Sequence, residues 1–325
     1  MKRIFLTGAT GYLGSKIALK AASAGYSVNA LVRDPASPNA PRHDNILLIK
    51  GELNDLHSIL FAMDGCEIVI HSAALAKLHS KDPDEIYKVN VEGTKNVLKA
   101  AHMLMVEKFI FTSSCAVMGN SLNIPLTEND PRITPLENDY EISKYWAEEL
   151  VKEYFQEGLK TVILSPPIIY GPGVCSNGNS LTGVLKNALT HGFAFYPSGN
   201  IYGNFAFVDD VVDGHINAII YGKPGEKYIL GGENISYETF FQSISTCSGK
   251  KIRLIPVSKP LLNTFSRINV VASSLLNLNT NLTPIAVRRI FSNRLLSCQK
   301  AILELQYRIT PFEKAFTQTL QSLRS

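Results

Sequence analysis

Tyr140 and Lys144 stand four positions apart in the run Tyr140-Glu141-Ile142-Ser143-Lys144. On a helix that spacing sets both side chains on one face, one turn apart. An ammonium near a phenol favours the phenolate and lowers the tyrosine pKa from its ordinary value of about 10. A tyrosine tuned toward neutrality can give a proton to a carbonyl oxygen or take one from an alcohol. The spacing alone is not specific, because Tyr12 and Lys16 repeat it. There, entry into a first helix accounts for both residues.

Context separates the two pairs. Ser114 directly follows an apolar, strand-like run, Lys108–Ser113. In doubly wound sheets, ligands bind at the carboxyl ends of the strands. A hydroxyl there can hold the substrate oxygen that Tyr140 protonates. Capping a turn is the competing use of Ser113 and Ser114.

The chain opens with another signal. Thr7-Gly8-Ala9-Thr10-Gly11-Tyr12-Leu13-Gly14 lies between an apolar run, Arg3–Thr7, and a helical one, Tyr12–Ala24. Gly8 permits the sharp exit from the strand, Gly11 lets the backbone approach a pyrophosphate, and Gly14 permits close helix packing. The helix N-terminus offers free N–H groups to phosphates. The next strand ends in Leu31-Val32-Arg33-Asp34-Pro35. An acid at that point grips the ribose hydroxyl of NAD, whereas an arginine accommodates the extra phosphate of NADP. Arg33 comes first and can clamp a phosphate with two hydrogen bonds. The expected cofactor is therefore NADP(H). Asp34 as an NAD-type acid is the rival and leaves NAD(H) open.

These groups need a frame. Strand-like runs at Ser27–Arg33, Ile46–Lys50, Ile68–His71, Lys108–Ser113 and Thr161–Ser165 alternate with helical runs at Leu56–Met63, Ile86–Leu104 and Ile142–Phe155. Short buried strands alternating with helices predict an α/β fold, a doubly wound parallel Rossmann sheet covered on both faces. Past Tyr170 the alternation degrades into a stretch rich in Gly, Asn, Ser and Pro, with a helix near Val184–Leu189. It returns with a strand at Phe205–Val208 and a helix at Val211–Tyr221. We expect an NADP-binding domain from 1–170 and 204–235. A smaller, mostly helical substrate-binding lobe would come from 171–203 and 236–325. The apolar stretch Leu261–Leu278, broken by Arg267 and Asn269, reads as an amphipathic helix buried between the lobes.

Composition narrows the partners. The chain has 325 residues, 45% hydrophobic and 18% charged, with a net charge of +4. That composition suits a packed core and argues against disorder. The basic pairs Lys2-Arg3, Lys250-Lys251 and Arg288-Arg289 are short and lack interleaved aromatics, so they read as solvated faces and not as a nucleic-acid surface. Cys66, Cys115, Cys175, Cys247 and Cys298 are scattered and form no C-x-x-C. Neither a disulfide framework nor a metal site is expected, and a cytoplasmic location fits. No apolar run approaches the ~20 residues that span a bilayer.

Taken together, the chain resembles the extended short-chain dehydrogenase/reductase family (the NAD-dependent epimerase/dehydratase superfamily). The likeness runs nearly the whole length: the glycine loop, Gly51-Glu52-Leu53, His71-Ser72-Ala73-Ala74, Asn90-Val91-Glu92-Gly93-Thr94, Phe111-Thr112-Ser113-Ser114, Tyr140 to Lys144, Pro166 to Gly173, and Phe207-Val208-Asp209-Asp210-Val211. The resemblance implies catalysis by Ser114, Tyr140 and Lys144. It implies cofactor contacts from Gly8, Thr10, Gly11, Tyr12, Leu13, Gly14 and Arg33, and from Tyr140 and Lys144 themselves. Glu52 and Leu53 would lie at the adenine, Ala73 and Ala74 beside the nicotinamide-side ribose, and Pro166, Pro167, Ile168 and Ile169 around the nicotinamide. The usual residue at Glu52 is Asp. His71, Asn90 and Asp209 are expected to be structural.

Three branches compete. The 4,6-dehydratases are similar to Thr-Asp-Glu where this chain has Ser113-Ser114-Cys115, so no acids are available for elimination. Nucleotide-sugar epimerases share the Ser, Tyr and Lys. They commonly carry an asparagine where Ile168 stands and an arginine near Tyr202, Gly203 and Asn204. The dihydroflavonol 4-reductase-like and 3β-hydroxysteroid dehydrogenase-like branch is similar to Val32-Arg33-Asp34-Pro35 and to the tail from Cys298 to Tyr307. The expectation is an NADP(H)-dependent oxidoreductase acting on a carbonyl or secondary alcohol of a small apolar or aromatic substrate. Phe193, Phe195, Tyr196, Tyr202, Phe205 and the 261–278 helix are available to line its pocket. An epimerase is the alternative. A non-enzymatic NADP-binding regulator is disfavoured by the presence of both Tyr140 and Lys144. Helices like Ile86–Leu104 and Ile142–Phe155 pair many relatives, which leaves a homodimer open.

Overall fold

The computed structural model describes residues 2–76, 82–173, 180–275 and 282–323. β1 (Arg3–Thr7) runs through the glycine loop into α1 (Tyr12–Ser23), followed by β2 (Ser27–Val32), β3 (Ile46–Lys50), α2 (Leu56–Met63) and β4 (Ile68–His71). α3 (Pro83–Tyr87) and α4 (Gly93–Met103) flank a π-helical turn at Lys88–Glu92. Next come β5 (Lys108–Thr112), α5 (Asp139–Gln156) and β6 (Thr161–Ser165). Together with β10 (Lys227–Ile229), the strands form one sheet in the order β10-β6-β5-β4-β1-β2-β3. Every pairing in it is parallel. The apolar runs of β1, β4 and β6 are what a sheet covered on both faces demands. The chain moves outward from β1 to β3, then restarts at β4 on the other side of β1. That reversal opens a crevice at the carboxyl ends of β1 and β4.

One face of the sheet packs Ile4, Leu6, Ile70 and Leu164 against Ile17 and Ala21 of α1 and Val211 and Ala218 of α7 (Val208–Tyr221). The other packs Phe5, Val69, Phe109 and Phe111 against Ile59 of α2, Val97 and Ala101 of α4, and Ala147 of α5. The predicted single helix Ile86–Leu104 is interrupted by the π turn. This extra-residue turn, a feature that recurs at functional sites, carries Asn90, which the local hydrogen bonds described below hold in place.

The rest of the chain forms a smaller assembly. β7 (Ile168–Tyr170), β9 (Tyr202–Phe207) and β11 (Glu233–Ser236) make a three-stranded sheet, and β8 (Phe193–Pro197) pairs in parallel with β12 (Arg253–Val257). α6 (Ser180–His191), α8 (Tyr237–Ser248) and α12 (Phe312–Ser322) close over them. Their core is aromatic. Phe205 stacks on Phe240 with ring centroids 4.4 Å apart, and Phe312 and Phe316 pack alongside. Such pairs contribute roughly 0.5–1.5 kcal/mol each beyond burial.

Two expectations about this region are corrected. Phe205 belongs to that core, and Phe193 and Phe195 are exposed on β8, so none of the three lines the groove described below. The amphipathic stretch is α9 (Lys259–Leu275), but its apolar face is not buried: Leu261, Phe265, Ile268 and Val271 are all more than half exposed. Periodicity identifies an apolar stripe and does not say whether anything covers it. Residues 276–278 lie outside the described residues. α10 (Pro284–Ile290) packs beside α9, and α11 (Gln299–Leu305) returns to the large sheet.

Candidate active site

The glycine loop closes tightly on itself. Gly11 N–H donates to Gly8 O at 2.9 Å, and Gly8 has φ +79°. A Cβ on Gly8 would lie 2.7 Å from Ala73 N, and one on Gly14 would lie 2.2 Å from Gly8 O. Gly14 is thus required by the loop's own fold-back. Gly11 caps α1 with no side-chain acceptor, which leaves the first amides of the helix for a ligand. These observations fit a dinucleotide pyrophosphate: the cradle is bare backbone, and side chains would fill it. Tyr12 itself is buried, its ring under Gly171 and Gly173, so only the start of its helix faces a ligand.

Behind the loop, His71 joins Thr7 Oγ1 (2.6 Å) and Thr94 Oγ1 (3.0 Å). Burial pushes its pKa down to about 3, with the Lys144 charge adding to the shift, so it is a neutral brace. Asn90 Oδ1 accepts from Leu75 N–H at 2.7 Å, and its Nδ2 donates to Ser143 Oγ at 3.0 Å. Asp209 accepts from Lys16 Nζ at 2.9 Å on the surface.

α5 positions Tyr140 and Lys144. Asn138 caps it, its Oδ1 accepting from Glu141 N–H at 3.0 Å, and this sets Tyr140 in the first turn. Ser114 caps a turn and also faces Tyr140. Its Oγ accepts from Ala116 N–H at 3.2 Å, capping a short turn, and its hydroxyl hydrogen-bonds the Tyr140 phenol. Lys144 is fully buried. Its Nζ donates to Thr112 O at 2.7 Å and lies 4.1 Å from the centroid of the Phe111 ring. Burial pushes the Lys144 pKa down to about 7, with Glu148 opposing.

The expected downward tuning of Tyr140 by Lys144 is not what this geometry produces. Desolvation raises the Tyr140 pKa, and the opposing influences are the Ser114 hydrogen bond and the charge of Arg289.

A groove of about 460 Å³ gathers these parts. The glycine loop supplies Gly8, Gly11, Tyr12, Leu13 and Gly14; the β4 exit supplies Ser72, Ala74, Leu75 and Ala76. Ser114, Tyr140 and Lys144 stand opposite, with Pro166, Pro167, Ile168, Ile169, Leu181 and Arg289 closing the far end. Thr10, Arg33, Glu52, Leu53 and Ala73 are not on its wall. Ala73 N–H donates to Thr7 Oγ1 at 3.2 Å. Arg33 and Glu52 are exposed just past β2 and β3, and Leu53 packs toward Gly93. Asp34 Oδ1 accepts from Ala36 N–H at 2.9 Å, so this acid is engaged in its own turn.

Several residues at the site escaped sequence reasoning. Beneath the β5 exit, Ser113 donates to Glu148, which pairs with Lys227 at 2.8 Å. Thr112 Oγ1 meets His215 Nε2 at 2.9 Å. The Arg288-Arg289 pair, read as a solvated face, is divided: Arg288 meets Glu137 at the surface, whereas Arg289 lines the groove and pairs with buried Glu141 at 3.1 Å. The doubled arginine was visible, but its partner lies far away in the chain. Among the described residues, no cluster suited to a metal ion occurs, and no helix is long and apolar enough to cross a membrane.

The comparisons agree with this architecture. The NAD dependent epimerase/dehydratase family matches residues 4–231. The chain is 34% identical to a Synechocystis sp. protein provisionally named dihydroflavonol 4-reductase, over 75% of this chain and 72% of that one. It is 26% identical to a 3-beta-hydroxysteroid dehydrogenase from Mycolicibacterium neoaurum, over 94% and 86%. The crystal structure of gox2253 superposes with a TM-score of 0.83 at 29% identity, covering 100% of this chain and 98% of the other. The sheet order, the glycine loop and these likenesses lead to one assignment: the chain is an oxidoreductase-type member of the NAD dependent epimerase/dehydratase family.

Proposed function

We propose that this protein is an NADP(H)-dependent oxidoreductase that interconverts a carbonyl and a secondary alcohol on a small substrate, with Tyr140 as general acid and base. The observation that carries the reading is the Ser114–Tyr140 hydrogen bond on the groove wall, at the carboxyl end of β5. When bound, a nicotinamide supplies or accepts the hydride. Ser114 holds the substrate oxygen, and the Tyr140 phenol delivers its proton there. A phenol with a raised pKa is fully protonated at neutral pH, which suits reduction. Lys144, tied to Thr112 O through one N–H, keeps its other donors for ligand hydroxyls at the groove.

The NADP preference rests on Arg33, exposed beyond β2 while Asp34 is engaged in its own turn. Leu75, Ile168, Ile169 and Leu181 favour a substrate with an apolar body. Ile168 also bears on the rival epimerase. It neighbours Gly203, so neither of these positions offers a diphosphate a polar side chain. Cys66, Cys115, Cys247 and Cys298 are free, in keeping with a reducing cytoplasm. The same reading includes pairing of two copies through α4 and α5, where Met103 and Trp146 stand exposed.

The test is an NADPH-oxidation screen across aromatic ketones, aldehydes, ketosteroids and nucleotide sugars. Stoichiometric NADPH consumption with a ketone or aldehyde supports the reading. Epimer formation without net NADPH loss overturns it.

A further inference from the structure

Beside Ser114, a second cavity of about 50 Å³ shares Pro167, Ile168 and Arg289 with the groove, and its far side carries Arg294. The charges around it do not balance. Arg132, Arg289 and Arg294 converge on one carboxylate, that of Glu141. Among the described residues, Glu141 is the one carboxylate within ion-pair distance of these three guanidinium groups. All four side chains are largely buried: Glu141 is 1% exposed, Arg294 14%, Arg132 16% and Arg289 22%.

The three arginines differ in how well they are satisfied. Arg132 is saturated: its guanidinium donates to the carbonyls of Ala116, Val117, Thr134 and Pro135 and to Glu141. It is a structural strut. Arg289 spends one nitrogen on Glu141 and faces both cavities. Arg294 is the unsatisfied one. Its nearest carboxylate oxygen is 3.8 Å away, beyond hydrogen-bond reach, and among the described residues its buried Nε has no partner. The segment that carries Arg289 and Arg294 adds no acid of its own, since residues 239–303 contain neither Asp nor Glu. Burial and the neighbouring Arg289 charge push the Arg294 pKa down to about 10. A buried, unpaired guanidinium is costly to a fold unless an anion completes it.

The reductase reading above, on which this inference rests, leaves the substrate's polar end undefined. We propose that the substrate is an oxo acid, or its hydroxy acid in the reverse direction, whose carboxylate is clamped by Arg289 and Arg294 in the cavity beside Ser114. Size selects the anion. Each water needs roughly 10–15 Å³ of such space, so the cavity of about 50 Å³ suits a few waters or one carboxylate. Shape agrees, because guanidinium forks match the two oxygens of a carboxylate. The carboxylate takes no part in bond changes. A bound reduced nicotinamide would supply the hydride of the new C–H bond; Tyr140 gives the proton of the new O–H bond, and the clamped carboxylate anchors the carbonyl against Ser114.

The test compares phenylglyoxylate and 3-benzoylpropionate with their methyl esters and with acetophenone, using the full chain and NADPH. We expect at least one acid to exceed its ester in kcat/KM by ~30-fold or more, the scale of a charge-assisted hydrogen-bond pair. Arg294→Met should collapse that acid-to-ester ratio at least tenfold through KM, and Arg294→Lys should restore part of it. Thermal shift with NADP+ and each probe is the second readout: an acid should raise Tm where its ester does not. Equal treatment of acids and esters in both readouts overturns the carboxylate clamp and leaves the reductase reading intact. Epimerisation of a nucleotide sugar without NADPH loss overturns both.

Discussion

The Lys144 ammonium donates to the Thr112 carbonyl oxygen at 2.7 Å, from a fully buried position over the Phe111 ring. The lysine is therefore anchored to the strand end that carries Ser114, and its charge is held there at a cost in solvation. Its folded pKa, near 7, lies below the ordinary lysine value. The penalty is complete below pH 7. It is relieved as pH rises toward 10.5, where the unfolded chain also loses its proton. Lys144→Met should accordingly melt no lower than the parent at pH 6.5, and a gain of about 1–4 kcal/mol is in range. That relative gain should shrink as pH rises, and turnover should be lost. A variant whose deficit in Tm is the same at every pH would contradict this account of the lysine.

Two buried histidines set the acid limit. His215 sits between Thr112 Oγ1 and Val211 O, and burial holds its pKa near 4; His71 is held near 3. Both are neutral when folded and take up protons near pH 6.5 when unfolded. Their contribution is present above pH 6.5 and is lost as pH falls through the folded values. His215 alone accounts for about 3 kcal/mol of that loss, at about 1.4 kcal/mol per pH unit. Urea denaturation at pH 7, 5.5 and 4.5 should show the decline, and His215→Asn should flatten it. Parallel pH profiles for parent and variant would refute the assignment.

The glycines of the loop should separate into two classes. A methyl group at Gly14 meets Gly8 O at 2.2 Å, whereas one at Gly11 meets it at 3.2 Å. Gly14→Ala should lower Tm and abolish nucleotide binding together. Gly11→Ala should leave Tm within a few degrees and weaken NADPH binding by intruding on the phosphate path. Differential scanning calorimetry and fluorescence titration would check both, and equal loss of Tm in the two variants would count against the geometry.

Arg33 carries the cofactor prediction. Removing a charge-assisted pair typically costs 1.5–3 kcal/mol, so Arg33→Ala should raise the KM for NADPH by about tenfold to a hundredfold. The KM for NADH should change little. An unaltered protein that uses NADH with equal or better kcat/KM would defeat the proposal.

Much of the nucleotide-binding half was legible in sequence because its determinants are local. Strand runs, the glycine loop and the first turn of α5 are each specified within a few residues, and the observed ends of β2 and β5 fall one residue from the expected ones. What stayed hidden depends on distant partners. Glu141 and Arg289 meet across 148 residues of sequence, and Thr112 and His215 across 103. The rise in the Tyr140 pKa is a burial effect that no spacing rule contains. The exposure of α9 was hidden for a related reason: an apolar stripe is visible in sequence, and its covering partner is not.

The central claim is that Tyr140 supplies the proton at the substrate oxygen. Its most direct test is Tyr140→Phe, measured for NADPH affinity and for turnover of the best carbonyl substrate from the screen. The account predicts a Kd for NADPH within about threefold of the parent and a kcat lower by about 10²–10⁴, the range of a lost general acid. A variant that keeps kcat within tenfold of the parent would contradict it.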